Sequence, residues 1–416
     1  MSSTAFTSPR YLRARGETAL PENLPGKVEN WAGFAENSDD FALTTADAGK
    51  GGPFGAQLWL ARTVDGNTDY HPVYGGEEDY NDSNAVVSKG QASAHAEAEN
   101  LSPEKRQEVR DFLREHKGEG WEVVQVSSGE SCPSCRSKQM LFAQELMDEG
   151  LIEAGQFHVV FKATYERTGI DAGFNDEPYD TGIRALFNLK VLDHQNGLFI
   201  MNDAFQASPE ATAMISDGKI VRTPVLLAKQ DALPEDLAAR IQEHTNKGAP
   251  FAVIIGKDGQ ILSEATDLRT SSDDVNAYEQ TAIVQALHKA WAHQKFELDI
   301  FEAWKLEGAR VVTNIRDIGP LAYNEALWSS LAGIEVFGGS DEVDKNAREI
   351  ASLSNRDLFK LVALEYNVPE SPLHVVHTGD PEEPNRAHAA WPAIVARMAE
   401  ETGKDVHYDG AQADQS

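Results

Sequence analysis

The sequence predicts an α/β protein built as two tandem domains, spanning residues 1–215 and 216–416. Three observations predict it. Apolar runs of strand length alternate with longer stretches of helical character, the pattern of helices packed on a largely buried sheet. The same succession of runs occurs twice along the chain. And 416 residues with an ordinary apolar share (41%) suffice for two cores of normal size.

Residues 1 to about 36 are mixed in character, with Pro21 and Pro25 breaking any long helix, and are expected to wrap the domain surface. A short helix is expected from Asp39 to Ala48, capped by Ser38. Gly51 to Ala56 leads into Gln57-Leu58-Trp59-Leu60, a strand. Asp65-Gly66 marks a hairpin tip, and the polar, Gly-rich stretch to Tyr80 reads as a long excursion before Asn84-Ala85-Val86-Val87 returns as strand. A helix beginning near Ala92 is interrupted at Ser102-Pro103, where Ser as N-cap and Pro in the first turn start another. Trp121–Val126 is a strand, Pro133–Glu149 a helix stopped by Gly150, and Phe157–Phe161 a strand. Leu186 to Pro224 contains Val191, Leu192, Leu198, Phe199, Ile200 and Met201, too apolar for a flexible linker. It is expected to pack, either on the first domain or in the seam.

In the second half Pro250-Phe251-Ala252 matches Pro53-Phe54-Gly55, and Val253-Ile254-Ile255 follows as strand. Lys257 to Gln260 makes a tight hairpin where the first half has a long one. Arg310–Thr313 and Glu335–Gly338 answer the later strands. Tyr278 follows His95 by 183 positions and Ile318 follows Cys132 by 186, an offset steady enough to favour duplication. The residues 54 to 95 span 41 positions against 27 for 251 to 278, so the first hairpin carries a surplus of 14.

Charge narrows the partners. With 67 acidic against 37 basic residues the net charge is −30, which disfavours an extended polyanion-binding face. Met1 to Pro9 lacks an apolar signal core, and no apolar run is long enough to span a bilayer. Two cysteines three apart form no disulfide framework, so a reducing cytoplasm is expected.

Those two cysteines, Cys132 and Cys135, are the only ones in the chain. At the start of a helix they offer two thiolates to one metal, and His95 can supply a third ligand. Three protein ligands leave one tetrahedral position of Zn²⁺ for water, the catalytic arrangement. Glu97, two residues past His95, can reach that water and act as general acid and base. C-x-x-C also occurs as a redox pair, but that motif does not ask for His-x-Glu upstream. A structural zinc ribbon wants four ligands, and only three group here. In the second half Tyr278, Gln280, Ile318 and Leu321 stand at the corresponding positions, so that half is expected to bind no zinc. One zinc per chain follows.

His95-Ala96-Glu97 with Cys132-Pro133-Ser134-Cys135 resembles the H-x-E…P-C-x-x-C pattern of the zinc-dependent cytidine-deaminase-like superfamily, in the branch holding guanine, cytosine and tRNA adenosine deaminases. The resemblance covers about residues 39 to 180, with a degenerate copy over about 235 to 345. It implies three-layer α/β/α domains, each with a central mixed sheet, and an intrachain pseudo-dimer of one active and one defective half, with further oligomerisation left open. It further implies that Phe54 lines the base pocket, that Asn84, eleven residues before His95, contacts the base, and that Asp176 in Gly173-Phe174-Asn175-Asp176 does so too. The family's Asp-Pro-Thr before the His is here Gln91-Ala92-Ser93, and its motif Pro is Ser131.

The reaction implied is hydrolytic deamination of a small amino-substituted nucleobase or nucleoside, guanine-like favoured, with ammonia released. A tRNA-editing deaminase is the alternative within enzymes, and it would require a basic face. A non-catalytic, zinc-stabilised binding protein is the third reading, and it leaves Glu97 without a purpose. The remaining histidines, His116, His158, His194, His244 and His288 among them, lie outside any ligand spacing and read as surface or packing residues. Glu130, beside the metal turn, reads as a capping or supporting group.

Overall fold

A computed structural model describes residues 24–48, 51–77, 79–85, 95–131, 133–164, 167, 168, 171, 190–193, 198–200, 222–224, 233–268, 280–298, 306, 308–316, 318, 322, 325, 326, 329, 331–347, 372–379 and 383–402. The protein is α/β with two mixed sheets. In the first half the elements are α1 (Val28–Asp47), β1 (Gly51–Val64), β2 (Asn67–Pro72), β3 (Asn81–Ala85), α2 (Ala96–Glu99), α3 (Pro103–Glu115), β4 (Glu122–Gly129), α4 (Pro133–Asp148) and β5 (Phe157–Ala163). Then come β6 (Lys190–Asp193), β7 (Leu198–Ile200), β8 (Arg222–Pro224), α5 (Glu235–Asn246), β9 (Phe251–Ile255), β10 (Ile261–Thr266) and α6 (Ala282–Leu298). The last are β11 (Arg310–Thr313), β12 (Gly333–Val336), α7 (Asp341–Ala347), β13 (Leu373–His377) and α8 (Arg386–Thr402).

The first sheet runs β2-β1-β4-β5-β13, with β3 also on β1. Strand β1 is antiparallel to β2 and β4, while β4, β5 and β13 are parallel. The second sheet runs β10-β9-β11-β12-β6 and repeats those directions strand for strand before continuing to β7 and β8. The internal repeat seen in the sequence is therefore a repeat of sheet topology. A local device repeats with it. In one unit the Gly55 N–H donates to Ser128 Oγ (3.0 Å), and in the other the Phe251 N–H donates to Asn314 Oδ1 (2.8 Å).

The division is not where the sequence places it. The chain separates into Met1–Lys89, Ser93–Tyr179 and Lys360–Ser416 on one side, and Gly90–Ala92 with Asp180–Phe359 on the other. The two units are interleaved rather than consecutive at 215/216. The cause is the fifth strand of each sheet: β13 of the second half pairs with β5, and β6 of the first half pairs with β12. The apolar stretch from Leu186 to Pro224, expected on the first domain or in the seam, contributes β6, β7 and β8 to the second sheet. A short apolar run satisfies any parallel edge that offers it hydrogen bonds, and its sequence does not say which.

Strand β1 carries two partners along one edge, β3 over Gly51–Gln57 and β2 over Trp59–Val64. The first hairpin closes at the Asp65-Gly66 turn, with both residues at positive φ (51° and 78°), and β3 follows on the same edge of β1. The helix expected at Asp39 instead begins at Val28. Trp31, Ala35, Ser38, Ala42 and Ala46 form one buried stripe along α1, so Ser38 sits inside the helix and not at its cap. Small residues on that stripe let the sheet approach closely: a Cβ on Gly55 would lie 2.2 Å from the Ser38 carbonyl oxygen. Trp31 and Ala35 share a core with Trp59, Val124, Val126, Val160 and Val376, which spans α1 and four strands. Tertiary packing overrides the weak helix propensity of Asn37-Ser38-Asp39-Asp40.

The added fifth strand is tied by more than its ladder. His158 on β5 lies with Nδ1 2.8 Å from His374 Nδ1 on β13 and Nε2 2.5 Å from the Glu122 carboxylate on β4. Burial, and then the neighbouring His158, push His374 down to about 4. A depressed basic group contributes stability that is complete above its unfolded value near 6.5 and is lost as pH falls through about 4. His374 is partly exposed, so solvent screening leaves an effect of about 1 kcal/mol, roughly 2–4 °C. Between pH 7.5 and 4 the wild type should lose that much more melting temperature than His374→Gln; parallel curves would show that the pair does not titrate with folding.

Candidate metal centre

His95 stands at the N-cap of α2, with extended φ and ψ of −72° and 147°, so its side chain leaves the chain just before the helix turns. Glu97 follows in the first turn and is buried at 5% exposure. Cys135 sits in the first turn of α4, two residues after the Pro133 that opens the helix, and is 1% exposed. A thiolate there faces free N–H groups and the positive end of the helix dipole. Folding brings Cys135 Sγ to 3.5 Å from His95 Nδ1. One ligand atom from each of His95, Glu97 and Cys135 lies within 4.8 Å of the others. Among the described residues this is the His/Cys/Asp/Glu group that could hold a metal ion.

The distance can be tested against zinc. Ligands at about 2.3 Å (sulfur) and 2.0–2.1 Å (nitrogen), subtending a tetrahedral angle, stand roughly 3.5 Å apart. The observed sulfur–nitrogen separation equals that edge. Soft sulfur and borderline imidazole also form the donor set that zinc prefers over calcium or magnesium. The residues fit the metal. Cys132 and Asp176 lie outside the described residues, as do Tyr278 and Leu321 of the second half. Asn84 belongs to β3 by its backbone, which pairs with β1, and its side chain lies outside what is described. Phe54 is half-buried on β1.

Two polar side chains that sequence reasoning passed over hold the motifs together. Gln125, in the middle of β4, donates through Nε2 to the Glu97 carbonyl (2.9 Å) and to Asn100 Oδ1 (3.3 Å). Its Oε1 accepts from Gln139 Nε2 on α4 (2.5 Å), which also donates to Ser131 Oγ (2.7 Å). All four of Asn100, Gln125, Gln139 and Ser131 are fully buried. The chain of amides runs from the backbone of Glu97 to the residue preceding Cys132, so each motif fixes the position of the other. It also gives Ser131 a role: the hydroxyl is an acceptor in this network. A glutamine interrupting the valines of Val123-Val124-Gln125-Val126 was the available signal, since a polar residue in a buried strand needs partners.

The helix pair carrying His95 is anchored to β3. Lys105, capped into α3 by Ser102, places Nζ 2.6 Å from Asp82 Oδ2, and Asn100 Nδ2 donates to the same carboxylate. Burial raises Asp82 against the lowering effect of Lys105. On the other side of the metal turn Glu130 and Arg136 are both buried, with Oε1 and Nη2 3.8 Å apart, and the Glu130 N–H donates to the Ala163 carbonyl (2.8 Å). The Glu130 backbone thus ties the metal turn to the end of β5.

No protein-family model and no curated protein matches this chain. The functional reading therefore rests on the residues and their geometry. Among the described residues no helix is long and apolar enough to cross a membrane.

Proposed function

We propose that the chain is a zinc-dependent hydrolytic deaminase of a small amino-substituted nucleobase or nucleoside, a guanine-like ring favoured, working in the cytoplasm. The observation that carries this reading is the convergence of half-buried His95 with buried Cys135 and the buried Glu97 carboxylate in one group. A structural zinc site would take Glu97 as a further ligand, whereas hydrolytic deamination leaves that position to water and needs the carboxylate beside it. The two sheets of like topology support the finer fold reading, two cytidine-deaminase-like domains of which the second has lost its ligands.

His95, Cys135 and Cys132 would hold the zinc, and when bound it supplies Lewis-acid activation of a water, whose pKa falls to about 7. Glu97 does the proton work. Its carboxylate takes a proton from the nucleophilic water and delivers it to the ring nitrogen as the hydroxyl adds to the amine-bearing carbon; it then takes the proton of that hydroxyl and gives it to the amine, so that the C–N bond breaks, a carbonyl forms and ammonia leaves. The amide chain from Gln125 holds the Glu97 backbone still while its side chain exchanges protons. Phe54 offers an apolar face to a planar ring, and Asn84 and Asp176 are the proposed polar contacts to the base. The −30 charge disfavours tRNA, whereas a neutral base is nearly indifferent to it.

Two measurements test the reading together: metal content, and ammonia release from a panel of bases, nucleosides and tRNA. One zinc per chain with turnover of a free base or nucleoside is expected. Two zincs or none in intact protein, or deamination confined to tRNA, would overturn it.

A further inference from the structure

His388 was grouped in the sequence with histidines of no special spacing, and the fold sets it apart. It lies 291 positions after Glu97, yet it belongs to the same compact unit, because β13 delivers α8 to the first sheet. Asn385 caps α8, its Oδ1 accepting from the His388 N–H (3.0 Å). The Asn385 amide also donates to both oxygens of Asp39 (2.8 and 3.0 Å) and to the Ser128 carbonyl (3.2 Å). The start of α8 is thereby fastened to the C-terminal end of β4, the strand that leads to Cys132.

There the His388 ring packs against Phe54, with centroids 4.7 Å apart. It also lies over Gly129: a Cβ at that glycine would stand 3.0 Å from His388 Cε1 and 3.1 Å from Thr168 Oγ1. A side chain at 129 would crowd both groups, so glycine lets them stand at the end of β4. His388 is fully buried and Thr168 is 1% exposed. Neither ring nitrogen of His388 nor the hydroxyl of Thr168 has a hydrogen-bond partner. Buried polar atoms left unpaired are costly, and several gathered at one point call for an occupant that pairs them. Burial pushes His388 down to about 3, so the ring is neutral at physiological pH and presents one donor and one acceptor.

We propose that His388 and Thr168 form the polar end of the substrate pocket, where they read the adjacent donor and acceptor of a neutral nitrogen heterocycle resting on Phe54. The inference rests on the deaminase reading and sharpens it. A ring with an –NH–C(=O)– edge, as in guanine or cytosine-type bases, matches a neutral imidazole and a hydroxyl, while a charged or purely apolar ligand does not. It also makes the first unit's pocket dependent on the last part of the chain.

The test compares wild type with His388→Phe, His388→Gln and Thr168→Val, each checked for zinc content and melting temperature, on guanine, adenine, cytosine and their nucleosides. For His388→Phe, KM should rise about tenfold or more with kcat within a factor of about three and zinc unchanged, and melting should stay level or rise, since an unpaired buried group is gone. His388→Gln, which keeps a donor and an acceptor, should recover part of the KM. If His388→Phe does not fold, Thr168→Val carries the same expectation. Unaltered KM in both His388→Phe and Thr168→Val, or in Thr168→Val alone where His388→Phe fails to fold, overturns this inference and leaves the deaminase reading standing. Wild type that binds and turns over no base brings down both.

Discussion

Glu97→Gln is expected to keep the zinc and the fold and to lose about 10²–10⁴-fold in turnover, the range of general acid–base catalysis. Several proton transfers fall to this one group, so the upper end is the expected value. The amide has the shape of the carboxylate and can occupy the same buried space in the first turn of α2. The anchoring contact from Gln125 is made to the backbone carbonyl and survives the change. What is lost is the ability to take a proton at neutral pH. Ammonia release and metal content, measured on the same preparation, separate catalysis from structure. Turnover within about tenfold of wild type, zinc being retained, would remove Glu97 from the chemistry.

Cys135→Ala should abolish stoichiometric zinc and destabilise the unit that contains it. Ligand binding that is confined to the folded state adds about 4 kcal/mol when free ligand is 1,000 times Kd. For a unit of this size that corresponds to roughly 8–16 °C in melting temperature. The thiol is 1% exposed at the start of α4, where its neighbours are already in place, so the alanine itself adds only a small packing loss. Wild type stripped by a chelator should melt close to the variant, and zinc should restore wild type alone. A variant that holds one zinc per chain, or melts as wild type does in excess zinc, would show that Cys135 is not a ligand.

The group that could hold a metal, His95, Glu97 and Cys135, was legible because its signals are local. His95 and Glu97 are two apart, Cys132 and Cys135 three apart, and the elements presenting them have short-range signals: Ser102-Pro103 for α3, Pro133 for α4, the valine runs for the strands. The repeat was legible for the same reason, since each half carries its strands in the same order. Helix α1 was misjudged because its stripe of Trp31, Ala35, Ser38, Ala42 and Ala46 is made of small residues whose value appears only against β1.

Other features depend on contacts that spacing along the chain does not encode. The exchange of β6 and β13 between sheets is one, because parallel edges accept any strand of suitable length and polarity. The amide chain from Glu97 through Gln125 and Gln139 to Ser131 is another, joining residues that no motif groups. His388 is the clearest. The sequence by itself determined which atoms could bind a metal and move a proton; the tertiary structure alone decided that a histidine near the far end of the chain lies against Phe54, because only the pairing of β13 with β5 carries α8 there.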